Sequence, residues 1–415
     1  MSNALPAETT WTIAPEGVPG LDLDPFSDYF LTDPYLGHAA MRDAGPVVWL
    51  ERYGIYAVAR YKEVSEVLAN HAIFVSSRGV GISDFAKNKP WRPPSLLLEA
   101  DPPEHTEARA VVTRIMNPKL IRSLKESFQA HADTVVVEVA ARGHIDGVKD
   151  LAERYPLEVF PDWVGLDKDG RENLLPYGSM VFNTFGPINR LYEEALEKGS
   201  KAAVWIMEQC APGRPAPGGF GAQVHAEAAA VGYTEDEQAR LLRSFLSAGV
   251  DTTVHGIGSA LHALAANPGQ FELLKADPTR ARATFEETVR HAAPVQTFFR
   301  TANEDTQIGG ISIPEGSKVL MFLAAANRDP REWENPDDFE IMRRANGHVG
   351  FGFGIHACLG QMLARLEGEC VLNSLARLVD KIEMTGEAEI QLNNTLRGLE
   401  RLPLRLTPAT EEQKG

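Results

Sequence analysis

The chain has 415 residues, of which 44% are hydrophobic and 8% aromatic, as in a globular protein with a large core. Its 41 Lys and Arg against 57 Asp and Glu give a net charge of −16, which argues against nucleic acid or anionic lipid as the main partner. Three cysteines without metal-ligand spacing predict no disulfide framework and a reducing, cytoplasmic setting. No stretch approaches the roughly 18 consecutive apolar residues that would predict a membrane span.

The first third of the chain mixes short strands with helices. Residues 1–21 are predicted to be irregular. The β-branched and aromatic runs Val47–Leu50 and Ile55–Ala59 predict a hairpin. Residues 76–104 are rich in Pro, Gly, Ser and Lys and predict a long irregular loop, a kind of segment that is usually functional. From Glu104 to about Ala141 the pattern is helical.

Helical patterns dominate the rest. Thr234, followed by acidic residues, begins a helix that is predicted to continue to about Ala266. Alternation over Ile308–Ala326 around a Pro-Glu-Gly turn predicts a second hairpin, and the tail from Leu392 to Leu406 predicts strands. No linker divides the chain, so we predict one mainly α domain with a minor β region.

The most informative stretch is Phe351-Gly352-Phe353-Gly354-Ile355-His356-Ala357-Cys358-Leu359-Gly360, which opens a long amphipathic helix. Its glycines let backbone approach a flat, bulky group. Loop amides and the helix N-terminus favour a thiolate at Cys358, and a thiolate suits an axial bond to haem iron. A buried structural cysteine is the alternative interpretation.

Phe351, Gly354, Cys358 and Gly360 match the Phe-x-x-Gly-x-x-x-Cys-x-Gly haem loop, and the chain resembles the soluble bacterial cytochromes P450. The resemblance implies the mainly α P450 fold, with a single domain at residues 22–408 and a short tail at 409–415. It also implies haem b, held by the Cys358 thiolate and lying against the loop at Phe351, Gly352 and Gly360.

Further motifs fit the resemblance. Glu287 and Arg290 are one turn apart, and the family's buried Glu-Arg-Arg network implies Arg343 as its third member, with a structural role. The resemblance places four residues near the haem propionates, although a surface ion pair or a satisfied core histidine is the alternative for each: His105, Arg109, Arg300 and His356.

Mid-helix, Ala248 and Gly249 precede Asp251 and Thr252. The small pair lets a flat ligand lie against the backbone. The Thr252 hydroxyl can bond back to the carbonyl four residues earlier and bend the helix. In the family this acid–alcohol pair opens a groove and delivers protons to bound dioxygen. By that resemblance Asp251 is the relay acid and Thr252 the stabilising alcohol.

Polar residues also converge on the expected pocket. A carboxylate anchor is predicted from Arg92, Ser95, Arg243, Ser244 and Ser247. The alternative is helix back-bonding for Ser244 and Ser247, and a solvent-facing loop charge for Arg92. Arg243 could instead form a salt bridge across the loop and close the pocket. The stretches 244–247, 294–300 and 393–400 resemble P450s that oxidise para-substituted benzoates. That resemblance implies O-demethylation of an acid such as 4-methoxybenzoate. It also adds the following substrate contacts: Phe182, Phe185, Phe298 and Leu396.

The family uses O2 and electrons from outside. No flavin- or nicotinamide-binding motif is present, which implies an iron–sulfur ferredoxin with a separate NAD(P)H-dependent reductase. A basic docking surface for it, or simply ordinary solvated helix charges, is offered by Arg114, Lys119, Arg122, Lys125 and Arg365. The rival functions are a P450 acting on a terpene, steroid or fatty acid, a peroxide-driven haem-thiolate enzyme, and a haem-based sensor without turnover.

Overall fold

A computed structural model describes residues 11–410. The segment predicted as irregular at 1–21 therefore lies partly outside the described residues, and within the described part Gly20–Leu21 forms a two-residue strand. The predicted tail at 409–415 is described only to residue 410. Helices dominate and the strands form small sheets, which confirms the predicted fold class.

Several helices begin at the capping residues that the sequence offers. Thr234 accepts a hydrogen bond from the N–H of Glu237, whose carboxylate accepts from the N–H of Thr234 at 2.8 Å. Asn117 caps a helix that has Pro118 in its first turn, so the pattern from Glu104 to Ala141 is two helices. The α-helices are α1 Asp28–Thr32, α2 Tyr35–Ala44, α3 Tyr61–Ala69, α4 Glu104–Ile115, α5 Pro118–Arg142, α6 Arg154–Val164, α7 Leu174–Asn183, α8 Arg190–Gln209, α9 Phe220–Ala230, α10 Glu235–Ala248, α11 Asp251–Ala266, α12 Pro268–Ala276, α13 Ala281–Ala292, α14 Leu323–Ala326 and α15 Gln361–Leu378.

The strands lie mostly toward the two ends of the chain. They are β1 Gly20–Leu21, β2 Val48–Leu50, β3 Ile55–Val58, β4 Phe74–Val75, β5 His144–Asp146, β6 Thr297–Ala302, β7 Thr306–Ile308, β8 Ile311–Ile313, β9 Lys318–Phe322, β10 Val379–Met384, β11 Glu389–Gln391, β12 Gly398–Arg401 and β13 Pro403–Pro408. The largest sheet has the order β1-β2-β3-β9-β6-β4, and the others are β10-β13-β5, β11-β12 and β7-β8.

Of the two predicted hairpins, the first is confirmed and the second is wrong. Strands β2 and β3 pair antiparallel, as predicted. Strand β8, however, pairs with β7 across Gly309 and Gly310, which both have positive φ, as a tight hairpin turn requires. Strand β9 is buried along its whole length, because it joins β3 and β6 inside the main sheet. The turn therefore lies earlier than the sequence pattern indicated.

The helix predicted from Thr234 to Ala266 breaks in the middle, between α10 and α11. The Thr252 hydroxyl donates to the Ala248 carbonyl at 2.8 Å, and the Thr253 hydroxyl donates to the Gly249 carbonyl at 3.1 Å. These hydroxyls bond the carbonyls that helix amides would otherwise use, and the helix opens at this point. The back-bond predicted for Thr252 is thus confirmed, and its effect is a break rather than a bend.

Helix α15 packs against α5 and α13, and α11 packs against α13 and a π-helical segment at Gly147–Glu153. Between them lies the largest apolar cluster of the protein. This arrangement puts the break in α10–α11 and the start of α15 on the wall of one internal cavity. Among residues 11–410, no helix has both the length and the apolar character that a membrane crossing requires.

Candidate functional site

The cavity has a volume of about 260 Å³ and collects most of the predicted site residues. Those on its wall are Arg92, Ser95, Arg109, Phe182, Phe185, Arg243, Ser244, Ser247, Ala248, Gly249, Thr252, Phe298, Arg300, Phe351, Gly352, His356, Cys358 and Gly360. Three others, His105, Asp251 and Leu396, do not line it. Residues that are scattered over the chain thus meet at one place.

The cysteine loop presents the Cys358 sulfur to this cavity. The Cys358 N–H donates to the Phe351 carbonyl at 2.7 Å, which closes the loop. Gly354 has φ +70°, and a side chain there would meet the Leu68 carbonyl oxygen at 2.9 Å, so glycine is required. The exposed surface of the thiol faces the cavity, while protein atoms surround it. Burial raises the pKa of Cys358, whereas the N–H of Gly360 favours the thiolate.

Two arginines bring positive charge to the cavity without a matching carboxylate. Arg109 donates to the Ala357 carbonyl at 2.8 Å, and Arg300 donates to the Phe299 carbonyl at 2.9 Å. Within the described residues, no carboxylate lies within ion-pair distance of either guanidinium. Burial lowers the pKa of Arg300 to about 10, so it remains charged at neutral pH. Two such cations on one wall fit a ligand with two acidic groups.

The two histidines near these arginines differ in their bonding. His105 is buried, and neither ring nitrogen has a hydrogen-bond partner among the described residues. His356, with its ring centroid 4.3 Å away, bonds the Ser76 hydroxyl at 3.1 Å and the Leu97 carbonyl at 3.3 Å. Burial lowers the pKa of His105 to about 4 and that of His356 to about 3, so both are neutral. Only His105 therefore has bonding capacity to spare.

The Glu287 network stabilises the segment before the cysteine loop. Arg290 makes two bonds to the Glu287 carboxylate, at 2.7 and 2.8 Å, and both side chains are fully buried. Arg343 donates to the same carboxylate at 3.1 Å. Arg290 also bonds the Asn327 carbonyl, and the Asn327 side chain accepts from the N–H of Val349 at the base of the loop. The geometry is the bidentate arrangement that the sequence predicted.

A second ionic cluster next to this network was not predicted. Glu286 bonds His348 at 3.0 Å and also Arg365, whose guanidinium lies 4.4 Å from the Phe351 ring. Burial alone would raise the pKa of Glu286, but the bonds from His348 and Arg365 lower it to about 2. Glu286 thus ties α15 to the cysteine loop. The only sequence signal was an acidic residue beside Glu287, which is too common to interpret.

The acid and the alcohol of α11 face different surroundings. Thr252 lines the cavity, whereas Asp251 is buried behind it, against Gly178 of α7. A side chain on Gly178 would come within 3.1 Å of the Asp251 β-carbon. Burial raises the pKa of Asp251, and His255 opposes that effect. The Asp251 carboxyl therefore lies off the cavity wall, whereas the Thr252 next to it is on the wall.

The far end of the cavity carries the predicted serines and arginines. The Ser95 and Ser244 hydroxyl oxygens are 2.9 Å apart. Ser244 also donates to the Arg240 carbonyl, and Ser247 donates to the Ser244 carbonyl, each at 3.1 Å. Both back-bonding and exposure to the cavity therefore occur for these serines, and the two interpretations left open by the sequence are compatible.

The two arginines at this end are not equivalent. Arg92 is paired with Glu99 at 2.8 Å, and both side chains are largely buried. Arg243 donates to the Pro93 carbonyl at 2.7 Å, and among residues 11–410 no carboxylate lies within 4 Å of it. The alternative of a salt bridge from Arg243 across the loop is wrong, because the partner of Arg243 in the loop is a neutral backbone carbonyl. A net positive charge remains at this end of the cavity.

The side walls are aromatic. The Phe182 and Phe185 ring centroids are 5.7 Å apart at 82°, and those of Phe185 and Phe298 are 6.0 Å apart. Leu396, a predicted substrate contact, is instead buried behind Val295, with which it forms a β-bridge. Val295 occupies the wall in its place, because the tail runs antiparallel to the segment before β6.

The predicted basic surface is partly neutralised within the chain. Arg114 pairs with Glu227, Lys125 pairs with Glu369, and Arg365 pairs with Glu286. The alternative of ordinary solvated helix charges describes Arg114 and Lys125, which are about half exposed. Arg365 is also largely buried, so it adds little to the surface charge.

Comparison with known proteins settles the family. Residues 221–380 match the family model described as Cytochrome P450. The chain is 54% identical over 394 residues to cytochrome P450 CYP199A2 of Rhodopseudomonas palustris, covering 95% of this chain and 96% of the relative. The chain is a cytochrome P450. This P450 is also 30% identical to the steroid C26-monooxygenase of Rhodococcus jostii, covering 93% of this chain and 84% of the relative.

Solved P450 structures share the fold. CYP109E1 of Bacillus megaterium, in complex with testosterone, matches with a TM-score of 0.80 at 26% identity, covering 91% of this chain and 99% of that one. Cytochrome P450 CREJ, in complex with (4-ethylphenyl) dihydrogen phosphate, matches at 0.81 and 26%, covering 92% and 99%. The protein is therefore a haem-thiolate monooxygenase that uses O2 and electrons from a redox partner. When bound, the haem supplies the oxygen chemistry, and the thiolate favours O–O cleavage.

Proposed function

We propose that this P450 oxidises a small aromatic carboxylic acid, such as 4-methoxybenzoate, by hydroxylation or O-demethylation at the para position. The observation that carries the proposal is the cluster of two arginines and three serines at one end of an otherwise mostly apolar cavity. An apolar substrate such as a terpene would leave the buried Arg243 guanidinium without an anionic partner, which costs free energy.

The haem would be held by the residues that the sequence singled out. Cys358 supplies the thiolate, and Gly352 and Gly360 let the loop approach the porphyrin. Arg109 and Arg300, whose hydrogen bonds go only to backbone carbonyls, supply charge for the propionates. The unpartnered nitrogens of His105 add donors nearby, and His356 orients the loop that begins at Ser76. Ala248 and Gly249 offer a wall without bulky side chains.

Charge favours a monoanion at the polar end. Glu99 already neutralises Arg92, so one uncompensated positive charge remains, on Arg243. Arg92 thus orders the loop rather than binding substrate directly. The Ser95 oxygen accepts the N–H groups of Leu97 and Leu98, which leaves its hydrogen to point toward Ser244. Ser244 can donate to a carboxylate by giving up its bond to the helix backbone.

The aromatic ring of the substrate would lie against Phe182, Phe185 and Phe298, which line the cavity and offer apolar ring surfaces. With the carboxylate bound near Arg243, the para substituent extends toward the Thr252 end of the cavity. Thr252 can hold a water molecule there with its hydroxyl, and Asp251 stores a proton behind it. Electrons would come from a ferredoxin that is reduced by a separate NAD(P)H-dependent reductase.

The test is a spin-state titration of the ferric protein. 4-Methoxybenzoate should displace the iron-bound water and shift the haem to high spin, while its neutral amide should not. Arg243→Met should weaken acid binding by about 10- to 100-fold, the effect of one charged hydrogen bond. Arg240→Met is the matched control, because Arg240 donates to the adjacent Pro94 carbonyl but has Asp236 as a partner and does not line the cavity.

Equal binding of acid and amide, or equal losses in the two variants, would contradict the proposed carboxylate site. A high-spin response to terpenes or fatty acids with none to aromatic acids would replace it by another substrate class. Product formation with ferredoxin and reductase, in proportion to NADH consumed, would establish the source of electrons.

A further inference from the structure

A buried histidine lies next to the proposed relay acid. His255 is one turn after Asp251 on α11, and its Nε2 is 3.4 Å from the Asp251 Oδ1. The two side chains are 2% and 6% exposed. The other nitrogen of His255 and the other oxygen of Asp251 have no hydrogen-bond partner among the described residues. The imidazole and the carboxylate are therefore each other's nearest ionic partner.

Two glycines fix this pair in place. A side chain on Gly398 of β12 would come within 1.8 Å of the His255 Nδ1, so the imidazole lies directly on the backbone of that strand. Gly178 of α7 leaves room for Asp251 in the same way. Because packing holds both groups, the pair has a defined geometry rather than one of several surface rotamers.

Few other charges reach the pair. From the π-helical segment at Gly147–Glu153, Glu153 favours the protonated form of Asp251 and Lys149 favours the ionised form. On β12, Glu400 and Arg401 are exposed and point to solvent. Since Lys149 and Glu153 pair with each other, their opposing effects largely cancel. His255 is left as the main side chain that can set the charge of Asp251.

We propose that His255 is the positioning residue for Asp251: it holds the carboxylate in one orientation and favours its ionised form. The inference rests on the proposed function, in which Asp251 relays protons. The pair lies off the cavity wall, so His255 acts on Asp251 without touching the substrate.

The test follows the Asp251 carboxyl by infrared spectroscopy in the ferric resting protein, without turnover. Its protonated C=O band is assigned by its absence in Asp251→Asn. In His255→Asn, which keeps a polar amide but cannot titrate, the midpoint of this band should shift upward by about one pH unit or more, because a cationic partner is lost. Lys149→Met, which removes an exposed charge, is the control and should shift the midpoint much less.

A second readout is the pH profile of coupling, measured as product formed per NADH. His255→Asn should change the shape of the profile, whereas a purely structural role would lower it at every pH. If His255→Asn loses haem or unfolds, His255→Gln is measured instead. An unchanged infrared midpoint in the folded variant would overturn the inference. If Asp251→Asn couples like wild type, the relay role of Asp251 fails, while the infrared result still decides whether the pair exists.

Discussion

Replacing Arg290 by Met should destabilise the protein more than any change to a surface ion pair. The Arg290 guanidinium is fully buried and makes five hydrogen bonds, two to Glu287 and three to the backbone carbonyls of Asn327, Pro336 and Asp338. Its loss leaves those carbonyls short of a donor and leaves Glu287 with Arg343 as its remaining ionic partner. Breaking a buried pair costs about 3–5 kcal/mol.

The matched control is Arg401→Met. Arg401 pairs with Glu389 at 3.0 Å, but both side chains are more than half exposed, so the expected cost is at most about 1 kcal/mol. The stability of Arg290→Lys should be closer to that of Arg290→Met than to that of wild type, since an ammonium group cannot make the hydrogen bonds of a planar guanidinium. Urea unfolding, followed by haem absorption and by far-ultraviolet circular dichroism, measures the difference. If Arg290→Met and Arg401→Met unfold at the same urea concentration, the network has no stabilising role.

Three further changes follow from the same site. The pKa of Glu286 is about 2 in the fold against an ordinary 4.5, so its ionised form contributes stability that is fully present above pH 4.5 and is lost as the pH falls toward 2. Glu286→Gln should therefore reduce the loss of folding stability between pH 4.5 and 2 by about 3 kcal/mol. Thermal melts that show the same loss in variant and wild type would refute this. Thr252→Ala should lower product per NADH by about tenfold or more while Thr252→Ser keeps most of it, and equal coupling in both would remove the role of the hydroxyl. Gly368→Ala places a methyl group 2.2 Å from the Phe285 ring and should cost about 1–3 kcal/mol in urea unfolding, and equal urea midpoints for the variant and the wild type would contradict this.

The sequence identified the parts of the site that depend on short-range spacing. The cysteine loop and the Glu287–Arg290 pair are separated by a few residues, so their geometry follows from the local backbone. Arg343, more than fifty residues away, was found through family resemblance alone. The helix break at Gly249 could be predicted only in part. The sequence predicted the Thr252 back-bond, but it did not predict that this bond interrupts the helix.

The sequence did not show which side chains and strands contact each other across the fold. Nothing in the composition of the long loop shows that Glu99 folds back onto Arg92, so Arg92 was predicted as a substrate contact although it is already neutralised. Val295 lines the cavity and Leu396 lies behind it, because the tail runs along the segment before β6. Likewise, β9 joins the central sheet rather than the nearest strand, since burial along its whole length needs neighbours on both sides.

Cys358 is the residue that would supply the thiolate to the haem iron. The direct measurement is the absorption spectrum of the reduced protein under carbon monoxide, recorded for wild type and for Cys358→His. Wild type should show the red-shifted Soret band of a thiolate-ligated ferrous haem, and the variant should bind haem with the band moved to shorter wavelength. A wild-type spectrum without that band, or a variant that retains it, would contradict the account.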